Sequence, residues 1–315
     1  MNFLQILSEI EKVDPEVYER LDSRRSVFKH MSGVGQKLTA AALPLFVGAV
    51  FNKAYAQTPV GADVNAVLNF ALKLEYLESY FYNARTGVTG QMSAQNAAAL
   101  ALIATDESNH VSFLRAVLGS AAIAAPATTG VFDYTAKGTF PTALTNAGVY
   151  LAIAQSFEDT GVRAYKGAAP LIMANKTVLT AALNIHSVEA RHASHIRAMR
   201  RAGLSSTTPS QGVAVSPYSG PTGAPKSWVS GTDGGGAVPG VTDAIYGAGN
   251  NGNAVSGITY ESEAVTSQGG VNLVTNTTIS GFPSSAFSES FDEGLDVGTV
   301  AKIANLFSVS GNYFG

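Results

Sequence analysis

Cysteine is absent from the 315 residues, which excludes disulfide bridges, thiolate metal ligands and a lipid-bearing N-terminal cysteine. Charge is scarce too. Asp, Glu, Lys and Arg make up 14% of the chain, and the net charge of −3 gives no reason to expect a nucleic-acid partner. A long apolar run is also missing where one would be looked for: Leu38 to Phe51 covers about 14 residues and is broken by Pro44, whereas a membrane-crossing helix needs about 20. What remains is 46% apolar residues, enough to bury one sizeable core with a leader and an appendage besides.

The N-terminal stretch reads as that leader. Residues 1–22 are charged and carry no site chemistry. Ser23-Arg24-Arg25-Ser26-Val27-Phe28-Lys29 resembles a twin-arginine export signal. The short apolar run follows it, and Ala54-Tyr55-Ala56 has the small-x-small form of a cleavage site. Residues 1–56 are therefore expected to be an export leader removed after Ala56. The mature protein would be periplasmic or extracellular, associated with the envelope and without stable membrane insertion. A buried N-terminal helix and an uncleaved anchor are the alternatives. Export in the folded state suits a protein whose cofactor is loaded before secretion.

Past the leader the chain contains an internal echo. Glu-x-x-His-x-Ser-x-Leu-Arg-Ala from Glu107 to Ala116 is answered by Glu-x-x-His-x-Ser-x-Ile-Arg-Ala from Glu189 to Ala198. Each copy has a second glutamate upstream, Glu75 and Glu158, and each of those is followed seven residues later by a tyrosine, Tyr82 and Tyr165. On a helix, residues three apart share a face, and residues seven apart return to it about 20° off. Glu107 and His110 thus point one way, as do Glu189 and His192. Four carboxylates and two imidazoles turned into one bundle core would be strongly disfavoured if unpaired. Two divalent cations remove the difficulty, and carboxylate with imidazole suits iron, manganese or zinc.

Residues from about 61 to 203 resemble the ferritin-like superfamily, whose dimetal bundles use two inward glutamates and two Glu-x-x-His motifs. Leu68 to Glu78, Glu189-Ala190-Arg191-His192 and Ser290-Phe291-Asp292-Glu293 are closer still to the branch containing bacterial ferritin-like domain proteins and plant desiccation-related proteins. The resemblance implies Glu75, Glu107, His110, Glu158, Glu189 and His192 as ligands of two Fe or Mn ions, with iron favoured. Asp106 would stand behind a ligating histidine and fix its tautomer, one-sidedly, since the second copy has Val188 there. Tyr82 and Tyr165 are expected in the core, with a hydrogen bond to a ligating carboxylate as an added role. Glu78, one turn beyond Glu75, aligns with Gly161 and is expected to be solvated or to support the ligands. His186 and His195 align with Ala104 and Phe113, which favours packing or outer roles.

The helical segments follow from caps and breakers. A first helix runs from about Asp63 to Arg85, a second from Ser93 to Leu118, a third from near Pro141 to Gly167, and a fourth from about Thr177 to Ala202. The fold class is all-α, a four-helix bundle over 57–204. The link of about 20 residues from Ser120 to Thr139 can reach about 66 Å, ample for a long crossover between parallel second and third helices. Arg197, Arg200 and Arg201 would meet the negative end of the last helix. Residues 205–315 turn rich in Gly, Ser and Thr and read as an irregular extension packed on the bundle, ending in a short helix from Gly294 to Phe307.

The function expected is redox or oxidative-stress chemistry on O2 or peroxide at the metal pair, making the protein a candidate oxidase, peroxidase or catalase-like oxidoreductase. A structural or desiccation-protective envelope protein is one alternative. Iron storage, which needs a multi-subunit cage, is another. A homo-oligomer is compatible with all three.

Overall fold

Asp63 accepts a hydrogen bond from the Asn65 amide and starts α1, Val64–Asn83. In this computed structural model the described residues are 63–205, 228, 229, 231, 237, 238, 240–250, 258–276 and 281–315. The expected leader 1–56, with Arg24, Arg25 and the cleavage site at Ala56, lies outside them, as does much of the Gly-rich stretch. After α1 come a short α2, Thr86–Thr89, and α3, Ala94–Leu118, capped by Ser93. Next are α4, Ala147–Ala168, and α5, Lys176–Ala202, capped by Asn146 and Asn175. Gly119 and Gly203, both at positive φ, end α3 and α5. No helix among the described residues is long and apolar enough to cross a membrane.

The expected third helix began near Pro141, but α4 starts at Ala147. Residues 141–145 form turns instead, and the Asn146 side chain accepts from the Val149 amide, so the cap outranks the proline as the start.

Cross-helix partners give the directions. Ser79 meets Ser108, while the earlier Tyr76 meets the later Arg115, so α1 and α3 are antiparallel. Tyr82 reaches Glu158 and Glu75 is reached by Tyr165, so α1 and α4 are antiparallel too. α3 and α4 must then run parallel, and only a long crossover can join them. That crossover is held to the bundle by Tyr80 to the Pro126 carbonyl and Tyr134 to the Leu77 carbonyl. It also pairs with the C-terminal tail, Asp133 N donating to Phe307 O and Val309 N to Val131 O. An aromatic group centred on Phe81, stacked on Tyr150 at 4.2 Å, fills the core beneath it.

Every residue of α4 except Lys166 and Ala168 is buried, although the helix carries a polar stripe of Gln155, Asp159 and Arg163. A stripe of that kind normally faces water. Here the extension covers it and satisfies it. Arg163 sits 2.7 Å from Glu263 and donates to the carbonyls of Gly247, Glu261 and Glu293. Asp159 accepts from Arg197 and, at 2.6 Å, from the Tyr246 hydroxyl. Arg200 holds Gln155 and the Ala237 carbonyl. Arg197 and Arg200 are therefore buried, not solvated cations at a helix end, because specific oxygens of α4 and the extension surround them. Gly167 permits the same contact: a Cβ there would overlap the Leu295 carbonyl.

The extension adds α6, Asp243–Tyr246, α7, Ser284–Ser288, and α8, Val297–Asn305. The last helix is shorter than the expected 294–307 and starts from Asp296. Strands β1, Ser267–Gln268, and β2, Val271–Asn272, form an antiparallel hairpin that belongs to a second compact unit. Gly269 and Gly270 turn it with φ of 60° and 86°, as a tight hairpin turn requires.

Asp296 accepts from the Thr299 amide at 2.9 Å, the Thr299 hydroxyl at 2.5 Å and the Asn250 amide at 2.6 Å. Burial opposes its charge, but these hydrogen bonds win and hold the carboxyl below the ordinary value of 3.8. A depressed folded value means the contribution is present above 3.8 and disappears as pH falls through that lower value. Asp296→Ala is expected to lose about 1–2 kcal/mol at neutral pH. In thermal unfolding the gap to wild type should close with acidification; a gap constant with pH would refute the assignment.

Candidate metal centre

Glu75 on α1, Glu107 on α3, Glu158 on α4 and Glu189 on α5 are wholly buried, and His110 and His192 nearly so. Each helix delivers its side chains by the spacing noted above, and the antiparallel hairpins bring the four carboxylates into one layer. Their ligand-competent atoms form two groups, each lying within 4.8 Å throughout: Glu75, Glu107, His110 and Glu189, and Glu107, Glu158, Glu189 and His192. Glu107 and Glu189 belong to both. The two imidazole rings are 6.3 Å apart.

Both histidines turn Nδ1 inward. His110 Nδ1 is 3.1 Å from Glu75, 3.2 Å from Glu107 and 3.2 Å from Glu189. His192 Nδ1 is 2.8 Å from Glu107 and 3.3 Å from Glu158. Several of these approaches lack hydrogen-bond alignment. Glu107 Oε1, Glu158 Oε2, both oxygens of Glu189 and His192 Nδ1 are buried without a hydrogen-bond partner. An orphaned buried polar atom costs about 1–3 kcal/mol, so a cluster of them converging on common points fits ligand atoms that share cations. The donor set, carboxylate and imidazole, fits hard to borderline divalent metals.

Electrostatics point the same way. Burial pushes Glu107 up to about 7, with His110 and His192 partly offsetting it. Burial and then the charge of Glu107 push Glu189 well up. Burial also opposes ionisation of Glu75, but His110, Glu107 and Tyr165 hold it below its usual range. For His192 burial disfavours the charged ring, yet Glu158 and Glu107 outweigh this and take it up to about 12. His110 is raised by Glu107, Glu189 and Glu75 against the same penalty. The layer lacks positive charge, and the imidazoles are its own partial supply.

The tyrosines cross over. Tyr82 donates to Glu158 and Tyr165 to Glu75, each reaching the glutamate of the other hairpin and not the one seven residues before it. Two turns along α1 from Glu75 bring Tyr82 level with Glu158 because α4 runs the opposite way. Burial, then the facing carboxylate, pushes both phenols well up, so both remain donors.

Asp106 Oδ2 lies 3.2 Å from His192 Nε2, on the second copy's histidine and not the one in its own motif. Glu78 is not solvated: it is buried beside the layer. Burial and the four charges of Glu189, Glu107, Glu75 and Glu158 push it well up, keeping it a neutral acid. Its counterpart Gly161 leaves room for Glu189, whose Oε2 a Cβ there would approach to 2.7 Å. Neither group includes His186 or His195. Sequence reasoning missed the support given to the site's rear by Asp159, next to Glu158, through Arg197 and Tyr246. The only trace of it in the sequence is the polar stripe on an otherwise apolar helix.

A carboxylate behind a ligating imidazole typically changes metal affinity about 10–100-fold. Asp106→Asn is expected to weaken metal binding by that order in competition with a chromophoric chelator, with helix content intact because Asp106 is partly exposed. Unchanged affinity would make Asp106 a surface residue only.

No curated protein and no solved structure matches the chain. Residues 63–202 match the family model of the ferritin-like domain. That segment runs from the cap of α1 to the end of α5 and contains all six residues of the cluster. Over residues 63–202 the four-helix bundle is therefore similar to the ferritin-like domain.

Proposed function

We propose that the protein is a dimetal-carboxylate protein that reacts with O2 or peroxide, with iron favoured over manganese. The observation that carries this reading is the pair of four-residue groups sharing Glu107 and Glu189. Glu75, His110, Glu158 and His192 would hold the ions together with Glu107 and Glu189, which belong to both groups. The bound pair would supply electron exchange with the oxidant. The chain's own part is to hold geometry and exclude water. Tyr82 and Tyr165 keep their own phenolic protons and donate hydrogen bonds to Glu158 and Glu75, which fixes the orientation of those carboxylates. Asp106 orients His192, and the wholly buried carboxylates keep bulk solvent out.

Export belongs to the same proposal and rests on Arg24, Arg25 and the Ala54-Tyr55-Ala56 site alone. The desiccation-related branch, carried by residues 68–78 and 189–192, supports a setting of envelope stress.

A second reading has an observation of its own. The four glutamates of the layer are wholly buried, and the space next to them beside Glu78, Thr160 and Gly161 is only about 20 Å³, room for a single water. Tight enclosure favours metals that staple the bundle of a stress-protective envelope protein and turn nothing over.

Elemental analysis of the folded protein from its own host decides between them. About two Fe or Mn per chain are expected. Glu107→Ala and Glu189→Ala should lose both ions together with oxidant consumption, while Glu75→Ala retains about one. Two metals without consumption of O2 or peroxide would leave the stapling reading standing. No metal in the wild type would overturn both.

A further inference from the structure

α3 and α5 meet along only part of their length, and an open groove of about 690 Å³ lies against them, within the size range of small-molecule sites. Its α5 wall includes Lys176, Thr180, Asn184 and Val188, which stand four apart on one face and extend over about 18 Å of helix axis. From α3 comes Phe113, with 42% of its surface open. Ala181 and Ile185 add to the apolar surface.

The two ends differ in chemistry. At the inner end, beside Val188, the lining includes His110. Its Nδ1 is engaged by carboxylates, its Nε2 has no partner among the described residues, and its side chain is 10% exposed. His192 differs, since its Nε2 is taken by Asp106. At the outer end Lys176 occupies the first turn of α5, a turn with no acidic residue, so its ammonium adds to the positive end of the helix. Among the described residues no Asp or Glu lines the groove.

We infer that this groove binds an amphiphilic carboxylate, a molecule with an apolar body and one anionic head. The head pairs with Lys176, and the body lies along Phe113, Ala181 and Ile185 toward the unpaired nitrogen of His110. A small inorganic anion would leave the apolar stretch uncovered, and a neutral apolar molecule would leave the cation unused. The inference rests on the dimetal reading for its purpose, since it names the organic molecule held beside that centre. Binding itself requires no metal.

Decanoate, with decanol as the uncharged comparator, is the probe. Calorimetric titration of the full chain, metal-loaded and chelator-stripped, should show one saturable site in both forms. Lys176→Glu, at an exposed position, is expected to fold normally. It should weaken decanoate about tenfold and leave decanol unchanged. Ala181→Trp should abolish binding of both. Absence of decanoate binding in the wild type, or equal affinity in Lys176→Glu, overturns the inference. So does a dimer in sedimentation that Ala181→Trp disrupts, because the groove would then be covered by a second copy. Metal content measured on the same samples separates the readings: binding lost with metals present refutes only the groove, and metals absent with binding intact refutes only the dimetal centre.

Discussion

Four carboxylates in one layer without water cannot all be ionised on their own. Like charges a few ångströms apart repel strongly where the dielectric is low, and each has also lost its hydration. Glu75, Glu107, Glu158 and Glu189 are in this position, with two imidazoles as the only positive groups placed among them by the described residues. Much of the surrounding architecture acts on that imbalance. Tyr82 and Tyr165 donate hydrogen bonds into it, Asp106 steadies His192, and Glu78 gives up its charge. Five buried atoms of the cluster remain without hydrogen bonds. The layer is compatible with positive charge supplied from outside the chain.

α4 differs from α3 and α5, whose outer faces include exposed residues such as Leu102, Phe113 and Leu183, in being buried almost all round. Its polar stripe is roofed by the extension, and Arg163, Arg197 and Arg200 bind the roof to the bundle through carbonyls, Asp159, Gln155 and Glu263. Buried ion pairs of this kind are weak as net stabilisers, because desolvation offsets attraction.

Much of the bundle and the six-residue convergence could be read from sequence, because both rest on local rules. The Glu-x-x-His echo fixes faces, and Asp63 and Ser93 fix two of the four helix starts, while the fourth helix begins just ahead of the expected Thr177, at the Asn175 cap. The start of α4 was not legible from Pro141, since proline tolerates a first turn but also suits the turn that precedes Asn146. Nor was the exchange of tyrosines between hairpins, which depends on α1 and α4 being antiparallel neighbours. The arginine network was the least legible. Arg197 and Arg200 look like ordinary helix-end cations until residues more than 30 positions later are seen to cover them.

The repeat is close to two-fold, and its departures from symmetry fall around the carboxylate layer. Asp106 has Val188 as its counterpart, and Glu78 has Gly161. The first departure leaves His192 braced on its outer nitrogen and His110 bare there. Val188, which cannot brace, instead lines the groove together with His110. One substitution in the repeat thus does two things: it withholds a hydrogen bond from one imidazole and supplies apolar wall at the same place. A centre equivalent on both sides would have no preferred approach. This one has a closed side, where Asp106 stands, and an open side, where the groove begins.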